Sequence, residues 1–124
     1  MSNKRILIVD DEPDILRVAV FRLKKAGFEV ATAINGQEGL EMAKKEKPDL
    51  IFLDLRLPVM DGYELCHELK TNDDLKHIPI ILLTASAAQI GTRARQMGAD
   101  DFITKPFDTD HLIKKAKKFT KTSD

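Results

Sequence analysis

Five polar residues stand directly after short runs typical of β-strands, and their types suit phosphoryl transfer. They are Asp10, Asp11, Asp54, Thr84 and Lys105. Ligands of open α/β sheets bind at the carboxyl ends of the strands, so these five side chains are expected to share one crevice. Three carboxylates in one crevice repel each other unless a cation joins them, and carboxylate oxygens suit Mg²⁺ or Mn²⁺. A carboxylate beside such a metal, facing an ammonium and a hydroxyl, can accept a phosphoryl group as an aspartyl-phosphate.

The strands that must position these residues are recognisable from their hydrophobic patterns. Ile6–Val9 and Leu50–Leu53 are continuous apolar runs, which are typical of strands buried on both faces, so we expect them at the centre of the sheet. Ile78–Leu83 predicts a fourth strand. Phe28–Ala33 alternates apolar residues with small or polar ones, so it predicts an edge strand. Asp101–Thr104 predicts a short fifth strand.

A helical pattern follows each of the five strands, and the fourth helix is predicted from about Ala87 to Met97. Strands joined by helical crossovers pair in parallel, and the crossovers are right-handed. We therefore predict an α/β, flavodoxin-like doubly wound fold, (βα)5. Its five-stranded parallel sheet would have the order 2-1-3-4-5, with helices on both faces. In that order strands one and three lie side by side where the crevice opens.

Length and composition limit the class of protein. The 124 residues are enough for one domain with its own core, and Lys plus Arg equal Asp plus Glu at 20 each. The resulting net charge of zero argues against direct binding of nucleic acid or of anionic membranes. A single cysteine, Cys66, cannot form an internal disulfide and favours a reducing compartment. The residues before the first strand are too few for a signal peptide or a membrane span, so we expect a cytoplasmic protein without membrane insertion.

The chain resembles the receiver domains of two-component response regulators, including the chemotaxis regulators. Five motifs carry this resemblance and occur in the expected order along essentially the whole chain. They are Val9–Pro13, Leu53–Gly62, Leu83–Ala85, Gly98–Phe102 and Lys105–Phe107. The resemblance implies that residues 1–124 form a single receiver domain, with no output domain on this chain.

The resemblance also implies roles for individual residues. Asp54 is similar to the phosphoacceptor of the family, and Lys105 to the lysine that contacts the phosphoryl group. Asp10 and Asp11 resemble the acidic pair that holds Mg²⁺, directly or through water, together with Asp54 and the backbone carbonyl of Arg56. For Asp11 alone, a solvated surface acid is the alternative.

Further positions are implied to control the switch and its lifetime. Thr84 resembles the hydroxyl residue that follows the phosphoryl group, and Phe102 the aromatic residue that turns inward with it, although Phe102 is equally compatible with a plain core position. Arg56 and Ser86 occupy the two positions that tune the phosphate lifetime in the family, but Arg56 could also have only a backbone role. The resemblance predicts a cis peptide bond between Lys105 and Pro106, which only X-Pro bonds adopt at small cost.

The function implied by the resemblance is a phosphorylation-activated switch rather than an enzyme, although it would catalyse its own Mg²⁺-dependent phosphorylation and dephosphorylation. The phosphoryl donor would be a cognate sensor histidine kinase or a phosphotransfer protein. A downstream protein target would bind the face formed by the fourth helix, the fifth strand and the fifth helix, and the activated form could pair as a homodimer.

Two other classes of protein use similar strand ends, but the sequence lacks what each requires. A Mg²⁺-dependent phosphatase of the haloacid dehalogenase type needs a second aspartate two residues after the nucleophile, where this chain has Arg56. A flavodoxin-like cofactor binder holds phosphate in a Gly/Ser/Thr-rich loop after the first strand. Here that loop is Asp10–Asp14, which would repel phosphate without a metal. The sequence therefore favours the signalling switch.

Overall fold

The computed structural model describes residues 4–57, 60, 62–85 and 96–121, which contain five strands and four helices. The strands are β1 (Arg5–Val9), β2 (Glu29–Ala33), β3 (Leu50–Asp54), β4 (Ile80–Thr84) and β5 (Asp101–Thr104). The helices are α1 (Pro13–Lys25), α2 (Gly36–Glu46), α3 (Gly62–Thr71) and α4 (Thr109–Thr120). The helix predicted from Ala87 to Met97 falls almost wholly outside the described residues, so α4 denotes the helix that follows β5.

The five strands form one parallel sheet in the order β2-β1-β3-β4-β5. In its register Val9 lies opposite Leu53, and Asp54 lies opposite Leu83. The predicted strand order, the parallel pairing and the edge position of β2 are confirmed. Because the strands are in parallel register, their carboxyl ends meet along one edge of the sheet.

Apolar side chains of the sheet divide between two hydrophobic clusters because successive residues of a strand point to opposite faces. One face carries Leu7 and Leu53, which pack with buried residues of α2 and α3. The opposite face carries Ile8 and Phe52, which pack with buried residues of α1 and α4. Helices therefore cover both faces of the sheet, as predicted.

Side chains or chain geometry set the starts of three helices. Asn35 caps α2 by accepting a hydrogen bond from Glu38 N at 2.8 Å, and Asp108 caps α4 by accepting one from Asp110 N at 2.8 Å. Helix α1 begins differently, at Pro13, and the side chain of its N-cap residue, Glu12, makes no capping hydrogen bond. The Glu12 side chain is thus left for another contact.

None of the described helices is long and apolar enough to span a lipid bilayer.

Candidate functional site

The carboxyl edge of the sheet opens into a cleft of about 510 Å³. Asp10 follows β1, Asp54 ends β3, Thr84 ends β4 and Lys105 follows β5. The backbone N–H of Lys105 donates to Thr84 O at 2.6 Å, which continues the pairing of β4 with β5 beyond the last strand residue. The cleft is lined by Asp11, Glu12, Asp54, Leu55, Arg56, Tyr63, Leu83, Thr84, Ala85 and Lys105. The sheet therefore brings together Asp10, Asp54, Thr84 and Lys105, four of the five residues that the sequence placed at its strand ends.

Lys105 lies at the centre of the acidic groups. Its Nζ atom is 2.8 Å from Glu12 Oε1, 2.9 Å from Asp10 Oδ2 and 3.1 Å from Asp54 Oδ2. Burial by itself would lower the pKa of Lys105. The hydrogen bonds to Glu12 and Asp54 and the close contact with the Asp10 carboxylate outweigh burial, so the pKa of Lys105 is raised above its usual range. The lysine therefore remains an ammonium throughout the neutral range.

Asp10 is completely buried, and its two carboxylate oxygens have different surroundings. Oδ1 accepts a hydrogen bond from the backbone N–H of Glu12 at 2.9 Å. Oδ2 is close to the Lys105 ammonium but has no hydrogen-bond partner among the described residues. Burial raises the pKa of Asp10, while the contact with Lys105 opposes the rise. This buried carboxylate oxygen can therefore also act as a ligand for a cation.

Asp54 is held from two sides. Its Oδ1 accepts a hydrogen bond from the backbone N–H of Arg56 at 3.0 Å, and its Oδ2 accepts one from Lys105. The side chain of Arg56 is exposed at the mouth of the cleft.

The peptide bond between Lys105 and Pro106 is cis, in agreement with the sequence-based prediction.

The chemistry of the acidic group fits a hard divalent cation. Carboxylate oxygens of Asp10, Glu12 and Asp54 all lie within 4.8 Å of one another. Carboxylate oxygens at such spacing are ligands that suit Mg²⁺. Asp11 is not in this group of three; its side chain is exposed at the rim of the cleft.

Sequence analysis assigned no role to Glu12, which lines the cleft. It stands in the same acidic run as Asp10 and Asp11, so composition marked the segment without showing which side chains enter the cleft. Tyr63 also lines the cleft and was not predicted. Both residues belong to helix starts that the tertiary structure brings to the strand ends.

Comparison with known sequences identifies the family of this chain. The sequence model of the family described as response regulator receiver domain matches residues 6–117. The chain belongs to the response regulator receiver domains. The resemblance deduced from the five motifs is thereby confirmed.

Three relatives show how receiver domains of this kind occur. The alkaline phosphatase synthesis transcriptional regulatory protein PhoP of Bacillus subtilis is 43% identical over 106 residues, which are 85% of this chain and 43% of PhoP. The structure of Vibrio cholerae chemotaxis protein CheY4 has 31% identity and a TM-score of 0.89, and the match covers 95% of this chain and 99% of that chain. This receiver domain thus spans less than half the length of the curated relatives it matches.

The third relative contains a metal ion. It is the receiver domain of sensor histidine kinase PA1611 from Pseudomonas aeruginosa, solved with a magnesium ion coordinated in its active site cleft. It has 30% identity to this receiver domain and a TM-score of 0.88, with 97% of this chain and 99% of that chain covered.

The predicted switch residues lie in different environments. Thr84 is buried at the end of β4 and lines the cleft. Phe102 lies on β5, is partly buried, and packs against the hydrophobic cluster beneath α2 and α3. Ser86 lies outside the described residues. The Thr84 side chain is therefore at the site, whereas Phe102 lies on the neighbouring strand β5.

Proposed function

We propose that this receiver domain is a phosphorylation-activated switch that accepts a phosphoryl group on Asp54. The donor is a cognate sensor histidine kinase or a phosphotransfer protein, and residues 1–124 act as one receiver unit. The observation that carries the proposal is the contact of Asp54 with the Lys105 ammonium, beside a buried Asp10 oxygen that faces the same ammonium and has no hydrogen-bond partner in the part of the chain that the structure describes. If the ion pair of Asp54 with Lys105 served only to stabilise the fold, there would be no reason to bury the Asp10 carboxylate beside it at the cost of an unsatisfied oxygen.

In the proposed reaction an oxygen of Asp54 attacks the phosphorus of the donor. The new bond joins Asp54 to phosphorus, and the bond from phosphorus to the donor nitrogen or oxygen breaks. Lys105 is close enough to Asp54 to neutralise charge on the transferred group, which is where an ammonium lowers the barrier. Dephosphorylation returns the group to water and restores the carboxylate.

The proposed metal ligands are Asp10, Asp11, Asp54 and the backbone carbonyl of Arg56, with Asp11 acting through water because its side chain lies at the rim. Mg²⁺, or Mn²⁺ in its place, would supply positive charge to the oxygens of the transferred phosphoryl group. The receiver domain of PA1611, with its magnesium ion in the cleft, supports this part of the proposal.

The output of the switch is a changed protein-binding face. Thr84 lies at the cleft and can turn its hydroxyl toward a phosphoryl group on Asp54, and Phe102 then follows by moving further into the core. The face formed by the helix predicted at 87–97, β5 and α4 binds the downstream protein, which includes the case of a second activated copy.

Labelling with acetyl phosphate tests the proposal. In Mg²⁺ the wild-type protein should gain one phosphoryl group by intact-mass spectrometry, and Asp54→Asn should gain none. Chelation of the metal with EDTA should abolish labelling of the wild type. Undiminished labelling of Asp54→Asn would overturn the assignment of the acceptor, and labelling in EDTA would overturn the assignment of the metal.

A further inference from the structure

The Glu12 carboxylate lies at the cleft and does not cap α1, the helix that follows it. It occupies the N-cap position of α1 with an extended backbone, yet its side chain makes no capping hydrogen bond. Glutamate is not among the residues that favour this position. Its backbone N–H orients Asp10, but its side chain makes a different contact.

The Glu12 side chain contacts the Lys105 ammonium. The distance of 2.8 Å is the shortest of the three carboxylate contacts of Lys105, and it joins residues 93 positions apart. The side chain of Glu12 is 56% exposed, whereas those of Asp10 and Asp54 are buried. Exposed ion pairs contribute little to folding stability, so stability gives no sufficient reason for this contact.

We propose that Glu12 is a positioning residue, which holds the Lys105 ammonium at the cleft while a divalent cation occupies the carboxylates of Asp10 and Asp54. This inference rests on the proposed function. A metal held by Asp10 and Asp54 would neutralise the negative charge that attracts Lys105 in the metal-free protein, and the metal and the ammonium would repel each other. The carboxylate of Glu12 stands on the solvent side of the buried pair, so it keeps its attraction for the ammonium. Lys105 then stays within reach of an arriving phosphoryl group.

The variant Glu12→Gln removes the charge and keeps the size of the side chain. At saturating Mg²⁺, its rate of labelling by acetyl phosphate should fall about fivefold, because Lys105 is retained at the cleft less often. Asp14→Asn is the matched control. It removes one negative charge two residues away, and its carboxylate bonds Arg17 rather than Lys105. The control should label at the wild-type rate.

A double-mutant cycle separates positioning of Lys105 from direct metal binding. In a Lys105→Met background, Glu12→Gln should have no further effect on labelling, since the group that it positions is gone. Calorimetric titration should give the same Mg²⁺ affinity for Lys105→Met with and without Glu12→Gln, apart from the change that Asp14→Asn also causes. A Mg²⁺ affinity that falls with Glu12→Gln in this background would overturn the proposal and make Glu12 a metal ligand.

The ammonium itself provides a spectroscopic test that needs no phosphorylation. In the Mg²⁺-bound wild type, a hydrogen-bonded Lys105 ammonium should give a ¹H–¹⁵N signal, which Lys105→Met identifies by its loss. Glu12→Gln should lose the same signal, and Asp14→Asn should keep it. A signal and a labelling rate that both survive Glu12→Gln would refute the inference alone, whereas a wild type that cannot be labelled would refute the proposed function.

Discussion

The ammonium of Lys105 lies 3.1 Å from Oδ2 of Asp54, although the two residues are 51 positions apart in the chain. Asp54 ends β3 and Lys105 follows β5, so β4 lies between the strands that carry them. Their distance is set by the register of three parallel strands rather than by any local turn. Changes at the ends of these strands should therefore alter the site as well as the stability of the fold.

Gly62→Ala should disturb the end of β3. A Cβ at this position would lie 2.5 Å from both the carbonyl oxygen of Asp54 and the Cα of Leu55, so the backbone that carries Asp54 must move. We expect a loss of about 1–3 kcal/mol in urea unfolding and a lower rate of labelling. Gly27→Ala is the control, because it has open space but a φ of +100°, so it should lose stability through strain and keep its labelling. Normal labelling of Gly62→Ala would show that the strand end adapts.

Asp10→Asn should stabilise the protein in EDTA. Among the described residues, one oxygen of this buried carboxylate has no hydrogen-bond partner, and burial raises the pKa of Asp10, which means that the charged form is disfavoured in the folded state. The cost of its charge is present above the raised pKa and disappears as the pH falls below the unfolded-state pKa of about 3.9. We expect a gain of about 1 kcal/mol in urea unfolding at pH 7, which shrinks toward that pH. A loss of stability at pH 7 would mean that the attraction to Lys105 outweighs burial.

Arg56→Ala should shorten the life of the phosphorylated state. The Arg56 backbone orients Asp54, while its exposed side chain stands at the mouth of the cleft, where water must enter. Removing the side chain should speed hydrolysis severalfold, which corresponds to about 1 kcal/mol in the barrier. Decay of the labelled protein after removal of acetyl phosphate gives the rate, with Arg56→Lys as a control that keeps length and charge. An unchanged rate would confine Arg56 to its backbone role.

Thr84→Val should uncouple phosphorylation from the response of β5. Thr84 is buried at the cleft, and its register partner Thr104 is exposed, so Thr104→Val is a matched control. With Mg²⁺ and beryllofluoride, backbone amide signals of residues 101–104 should shift in the wild type and in Thr104→Val. They should shift much less in Thr84→Val, because the hydroxyl that follows the phosphoryl group is gone. Equal shifts in all three proteins would contradict the role of Thr84.

Cys66 should react slowly with thiol reagents. It should also lower the free energy of unfolding as the pH rises into the alkaline range. Burial raises its pKa to about 11, so at pH 8 the thiolate fraction is roughly two hundredfold below that of a free cysteine. The unfolded chain loses this proton near pH 8.5 and the folded chain near 11, so stability falls as the pH rises between these values. By pH 10 the loss should reach roughly 2 kcal/mol relative to Cys66→Ala, whose slope lacks this contribution. Identical slopes would show that the thiol is more accessible than its burial indicates.

The sequence alone determined the fold and the set of strands that meet at the site. Hydrophobic periodicity is a local property, so the buried runs of β1 and β3 and the alternating run of β2 were readable residue by residue. The continuous apolar character of β1 and β3 predicted that both are central, and the flavodoxin-like order 2-1-3-4-5 places them, and so Asp10 and Asp54, side by side.

Only the tertiary structure decided which acidic side chains enter the cleft. Asp10, Asp11 and Glu12 are consecutive acids in a turn, where no period predicts direction; the first is buried, the second exposed, and the third bonded to Lys105. The direction of each follows from the extended backbone at the start of α1 and from an ammonium that arrives from 93 residues away. Contacts of this range depend on the packing of whole strands and helices, which no local pattern in the chain records.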